Sequence, residues 1–210
     1  MILFIDCTKG MDLVLIKNKQ ILWEKKSNKL KNISEKLVLE IEKALYKLRL
    51  NYKNLKTIFI VTGPGSFTGV RSAITFAKII KLTLNVKIYG ITRFQILNLL
   101  TFSKSTPNNK DIYILNSKSS FFYQRFNKNS EGLEKSKIVD LGQKFLKNNN
   151  KSTIVSDTAL IKKYVEFNKF SKEDDLIKIK KYKIDDIEKL SKNLKLFSCV
   201  IKPLYVKNFY

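Results

Sequence analysis

A chain of 210 residues with 44% hydrophobic content can bury a core in one domain or two small lobes, and no apolar run reaches membrane-spanning length. Histidine is absent and Cys7 and Cys199 are the only cysteines; this excludes imidazole general bases, histidine zinc sites and a disulfide framework, and makes reduced thiols the expectation. The net charge of +23 rests on 41 Lys and Arg, but only Arg49, Arg71, Arg93 and Arg125 are arginines and the lysines run the whole length beside many Asn and Ile, so a solvated, compositionally drifted surface is expected before a nucleic-acid-reading one.

Residues 2–5 form an apolar strand, Lys9-Gly10 a turn, and 13–16 and 20–24 two more strands around Lys17-Asn18-Lys19, an antiparallel three-strand start. A helix follows over 34–50, with Leu37, Val38, Ile41, Ala44, Leu45 and Leu48 at three-and-four spacing and Asn51 closing it. Strand 57–61, helix 70–84, strand 86–89 and helix 93–102 complete a first lobe. The sequence begins directly with a strand rather than a leader-like segment, so a cytoplasmic location is expected. Residues 103–110, rich in Ser, Thr, Pro and Asn, read as a linker, which divides the chain into lobes 1–104 and 105–210. In the second lobe 112–115 and 121–126 read as strands, with shorter ones at 138–139, 154–155 and 177–179 and helices near 143–147, 159–167 and 185–196. The pattern is α/β with a mixed sheet, and the second lobe is reduced and rougher.

Chemistry concentrates around Gly63-Pro64-Gly65-Ser66-Phe67-Thr68-Gly69-Val70-Arg71, a glycine-rich turn between a strand and a helix. Gly63, Gly65 and Gly69 permit backbone angles closed to other residues, and a helix N-terminus offers free N–H groups. The spacing fits no general phosphate motif. Asp6, ending the first strand, is either a turn cap or the carboxylate of a vestigial phosphate site in which Thr8 would touch phosphate; the cap takes precedence. Ser66 and Thr68 have no adjacent base, Arg71 suits helix-end carbonyls or a carboxylate, and Asp174-Asp175 and Asp185-Asp186 read as solvated or helix-starting acids.

The nine-residue glycine string resembles the signature of the TsaB family, glycoprotease-like partner proteins of bacterial tRNA threonylcarbamoyladenosine synthesis. Met1-Ile2-Leu3-Phe4-Ile5-Asp6-Cys7-Thr8, Asn32-Ile33-Ser34-Glu35-Lys36-Leu37, Gly90-Ile91-Thr92-Arg93-Phe94-Gln95-Ile96-Leu97 and Pro203-Leu204-Tyr205-Val206-Lys207 resemble further family segments in the same order. The likeness covers residues 1–100 and thins beyond them, where Leu115-Asn116-Ser117-Lys118 replaces a more usual Asp-Ala-Arg. The order βββαβαβα and this resemblance together imply the actin-like ATPase and sugar-kinase (ASKHA) fold.

The resemblance implies a non-catalytic subunit supporting the transferase TsaD, which attaches threonylcarbamoyl to adenosine 37 of ANN-decoding tRNAs. It implies an ATPase partner, TsaE, tRNA contact through the complex, and a homodimer when alone. No cofactor of its own is expected, with ATP or ADP only at the level of the complex. The transferases carry a paired-His metal motif on the first long helix; here that helix reads Glu35 to Ala44 without histidine, so no metal site is expected. Apolar positions on more than one side of both helices suggest a docking surface of Leu37, Val38, Ile41, Leu45, Val70, Ala73, Ile74 and Ala77, with Ile79 beside Ile80 as a further surplus position. The alternatives are a stand-alone actin-like kinase or transferase, and a basic RNA-binding protein.

Overall fold

The computed structural model describes residues 1–27, 32–102, 112–117, 120–127, 132–133, 137–139, 154–156, 176–178 and 198–204. Two contact units divide the chain: Met1–Thr92 with Lys183–Leu204, and Arg93–Tyr182 with Tyr205–Tyr210. The linker-like segment 103–110 lies outside the described residues.

In the first unit β1 (Ile2–Asp6), β2 (Met11–Lys17) and β3 (Gln20–Ser27) run antiparallel, followed by α1 (Ile33–Lys47), β4 (Thr57–Val61), α2 (Phe67–Leu84) and β5 (Lys87–Ile91). The sheet order is β3-β2-β1-β4-β5, with β1–β4 and β4–β5 parallel. The mixed sheet follows from the connections: a two-residue turn returns the chain antiparallel, whereas a helical crossover brings it back parallel. Asn18 and Lys19, at φ 49° and 64°, give the β2–β3 turn the left-handed pair of angles that matches strand twist.

Alternation along the strands sends Leu3, Ile5, Leu13, Leu15, Ile58, Ile60 and Ile88 to one face, where Leu37, Ile41, Ala44 and Leu45 of α1 and Val70, Ala73, Ile74, Ala77 and Ile80 of α2 meet them. Phe4, Val14, Phe59 and Val61 take the other face, buried as well, and Phe59 stacks on Tyr89 with centroids 5.6 Å apart. The central strands are therefore near-continuous apolar runs.

Both helix ends differ from expectation for local reasons. α1 stops at Lys47 because Arg49 turns left-handed (φ 54°), letting Arg49 N–H bond Tyr46 O at 2.9 Å and Leu50 N–H bond Leu45 O at 2.8 Å. Asn51 instead caps the short turn Tyr52–Asn54: its Oδ1 accepts the Lys53 N–H at 3.0 Å, while Asn54 Oδ1 accepts the Asn51 N–H at 2.9 Å. α2 begins three residues before the expected 70, because Ser66 Oγ accepts the Gly69 N–H at 3.2 Å as an N-cap.

The second unit has α3 (Arg93–Phe102), the hairpin β6 (Ile112–Ser117) and β7 (Ser120–Asn127), and the short β8 (Gly132–Leu133), β9 (Lys137–Val139), β10 (Ile154–Ser156) and β11 (Leu176–Lys178). Among the described residues the order is β11-β10-β6-β7-β8, with β9 also on β7. The expected helices at 143–147, 159–167 and 185–196 lie outside the described residues, as do Lys118 and both Asp pairs; Asn116 sits on β6 opposite Phe121.

Candidate functional site

The glycine turn is seated on the turn that follows β1. Asp6 Oδ1 accepts both the Thr8 N–H at 2.8 Å and the Thr8 hydroxyl at 2.6 Å, and both residues are buried. The Thr8 carbonyl accepts the Ser66 N–H at 2.7 Å. A Cβ on Gly65 would lie 2.5 Å from Thr8 Cβ, and one on Gly69 would overlap the Cys7 carbonyl oxygen. Gly63 differs: its φ of 114° is a backbone need, and among the three it alone has positive φ. Asp6 and Thr8 thus satisfy each other in a buried turn that supports the glycine string.

The far end of the sequence meets the same turn. Leu204 N–H donates to Thr62 O at 2.8 Å, Ile201 is buried in the core, and Gly90 and Ser198 exchange backbone hydrogen bonds at 3.0 and 3.3 Å. Sequence order alone does not show that the 203–204 segment lies against the glycine turn.

Nucleophile chemistry is poorly served there. Burial, and then the carboxylates of Asp6 and Asp12, push the Cys7 thiol far above the ordinary cysteine range, so it stays protonated. Ser66 Oγ is engaged as the helix cap. Among the described residues no three His, Cys, Asp or Glu gather in metal-binding geometry. A thiol reagent added to the folded protein is expected to label the exposed Cys199 and leave Cys7 unmodified until denaturant is added. Mass spectrometry of the labelled peptides checks this; native-state labelling of Cys7 at a comparable rate would contradict it.

The other feature is a groove of about 690 Å³ between α1 and α2, walled by Val38, Glu42, Tyr52, Phe67, Ile79 and Ile80. Here the expected docking residues are corrected. Leu37, Ile41, Leu45, Val70, Ala73, Ile74 and Ala77 are at most 4% exposed and belong to the chain's own core, because they occupy the stripe that faces the sheet. Val38, at 38%, is the one member of that set at the surface; Ile79 is 53% exposed and Leu82 86%. Phe67, Tyr52 and Glu42 escape sequence reading as members of the site. Phe67 was legible only as part of the glycine string, and Tyr52 reaches the groove through a short turn without periodicity. Arg71 lies over the Phe67 ring at 4.9 Å from its centroid rather than on helix-end carbonyls.

Tyr52 packs against Phe76, with ring centroids 6.2 Å apart, and its buried Oη has no hydrogen-bond partner. Desolvation, then the Glu42 carboxylate, push its phenol up to about 12. The folded state disfavours the phenolate, so the stability Tyr52 contributes is full below its ordinary pKa near 10 and is lost as pH rises toward 12. Tyr52→Phe is expected to melt at or slightly above the parent at neutral pH, because an orphan buried hydroxyl costs about 1 kcal/mol. It should also lose less stability on titration from pH 10 to 12. A markedly lower melting point at neutral pH would show that Oη has a partner.

The model of the family described as TsaD: tRNA N6-adenosine threonylcarbamoyltransferase matches residues 26–111, which include α1, the glycine turn and α2. Over 96 residues the chain is 31% identical to the tRNA threonylcarbamoyladenosine biosynthesis protein TsaB of Buchnera aphidicola subsp. Schizaphis graminum (strain Sg). Over that stretch the chain is similar to the TsaB family. The match spans 46% of this chain and 46% of the Buchnera relative. Among solved structures, YeaZ from Pseudomonas aeruginosa superposes with a TM-score of 0.51 at 14% identity, over 66% of each chain. An uncharacterized protein described as similar to peptidase YEAZ from Pseudomonas aeruginosa gives 0.64 at 11% identity, over 98% of this chain and 99% of its own. These likenesses show that the chain has the fold of YeaZ, an α/β fold with a mixed sheet.

Proposed function

We propose that this chain is a TsaB-type, non-catalytic subunit in tRNA threonylcarbamoyladenosine synthesis, holding a TsaD-type transferase in its active arrangement for adenosine 37 of ANN-decoding tRNAs. The observation that carries the reading is the apolar α1/α2 groove beside the glycine turn, within the stretch that resembles the transferase itself. A protein that offers Val38, Phe67 and Ile79 to solvent at one groove gains by covering them. The transferase's equivalent helices would pair there, and a second copy of this chain would do so when the transferase is absent. The mutual engagement of Asp6 and Thr8 and the protonated, buried Cys7 support a subunit without chemistry of its own.

In this reading ATP or ADP belongs to the complex with TsaE, tRNA is met through the complex, and the protein works in the cytoplasm. It would need no cofactor or metal of its own. The experiment is co-expression with the transferase and size-exclusion chromatography with light scattering. Co-elution at the mass of a mixed complex is expected; elution of two separate species at micromolar concentration would refute the docking.

A further inference from the structure

The strand-starting end of the first unit's sheet concentrates positive charge. Topology brings three segments together there: the β2–β3 turn, the run from α1 into β4, and the run from α2 into β5. Residues 16–20, 47–57 and 81–88 contain no Asp or Glu, while their lysines and arginines recur throughout. Lys17, Lys56 and Lys87 sit at the ends of β2, β4 and β5 and are all exposed. Their backbones are locked in register: Lys87 N–H donates to Lys56 O at 3.1 Å, Lys56 N–H donates to Met1 O at 2.9 Å, and Ile16, next to Lys17, pairs with Ile2. With neighbouring strands about 4.8 Å apart, the row spans roughly 15 Å.

Two ordinary explanations cover only part of this charge. Lys47 and Lys81 lie in the last turns of α1 and α2, where a cation complements the helix dipole. Elsewhere on the unit lysines meet acids, as Lys25 meets Glu40 at 3.1 Å and Lys26 meets Glu24 at 2.7 Å. The strand-end row has neither explanation, and three exposed lysines whose backbones are held in register at the strand ends, beside two helix C-termini, make a surface suited to a polyanion. We propose that Lys17, Lys56 and Lys87 bind the phosphate backbone of RNA, independently of base sequence, at the end of the sheet away from the glycine turn. The choice of RNA as the polyanion rests on the function proposed above; the surface itself does not.

The test uses the full chain without transferase and an unmodified tRNA transcript as probe, titrated across a range of salt. The triple variant Lys17→Gln/Lys56→Gln/Lys87→Gln is compared with Lys25→Gln/Lys26→Gln/Lys36→Gln, which removes the same charge elsewhere on the unit. The first triple is expected to weaken binding at least tenfold at low salt and to flatten the slope of log K against log salt by about 2 to 3, and the second to change affinity less than twofold. Equal loss in both triples, or loss in neither, overturns the proposal, because attraction would then follow net charge and not this row. Tighter lysine-dependent capture by phosphatidylserine vesicles than by tRNA also overturns it, in favour of a membrane surface. Lysine-row binding that persists while the transferase fails to co-elute would sink the docking function and leave this surface standing. Position-independent binding with intact co-elution would do the reverse.

Discussion

A Gly69→Val protein is expected to lose a large part of its stability, melting at least about 5 °C below the parent. The side chain would point at the Cys7 carbonyl, backbone against backbone, with no rotamer to relieve the overlap. Either α2 lifts at its first turn, breaking the Ser66 cap on Gly69, or β1 moves at its end, disturbing the Asp6–Thr8 bonds. Overpacking of this kind costs about 1–3 kcal/mol, and more when backbone must shift, out of a total near 5–15. Gly65→Val meets Thr8 in the same way. The sequence suggested these glycines for their backbone angles; the structure assigns that role to Gly63 and gives Gly65 and Gly69 a different one, close approach. Circular-dichroism melting decides: a Gly69→Val protein that melts with the parent would mean the two turns are not packed as described.

The second large effect separates core from surface on the same helices. Ile41→Glu is expected to unfold the protein, since Ile41 is fully buried among Leu3-face residues and an unpaired carboxylate there costs on the order of 3–5 kcal/mol. Ile74→Glu should behave alike. Val38→Glu with Ile79→Glu should melt within a few degrees of the parent, because both side chains already reach solvent, yet abolish co-elution with the transferase. Ile41→Glu melting normally would contradict the core assignment, and undiminished co-elution of the groove variant would contradict the docking face.

That contrast also explains what the sequence made legible. Three-and-four spacing located α1 and α2 and their apolar stripes, because periodicity reports which residues share a face. It does not report which of two apolar faces the sheet takes, so spacing alone offers Leu37 and Ile41 for docking, whereas the sheet takes their stripe as core. Val38 and Ile79 stood out as surplus, and both line the groove. The first-lobe strands are legible within a few residues, since buried β1 and β4 are near-continuous apolar runs, whereas the end of α1 depends on a left-handed Arg49 that propensity disfavours and the start of α2 on a Ser66 cap that the apolar spacing does not mark. Tyr52 was invisible because a three-residue turn has no period. The seating of Gly69 on Cys7 and of Leu204 on Thr62 joins residues far apart in sequence, which only tertiary structure reveals.

The most direct measurement is the rate of threonylcarbamoyl transfer to adenosine 37 in a reconstituted system of transferase, ATPase, tRNA and this chain, followed by nucleoside mass spectrometry. The account predicts transfer that depends on the parent chain, survives Asp6→Asn in any variant that still folds, and falls at least tenfold with the folded Val38→Glu/Ile79→Glu protein. Full transfer without the chain, or full transfer with the groove variant, would contradict it.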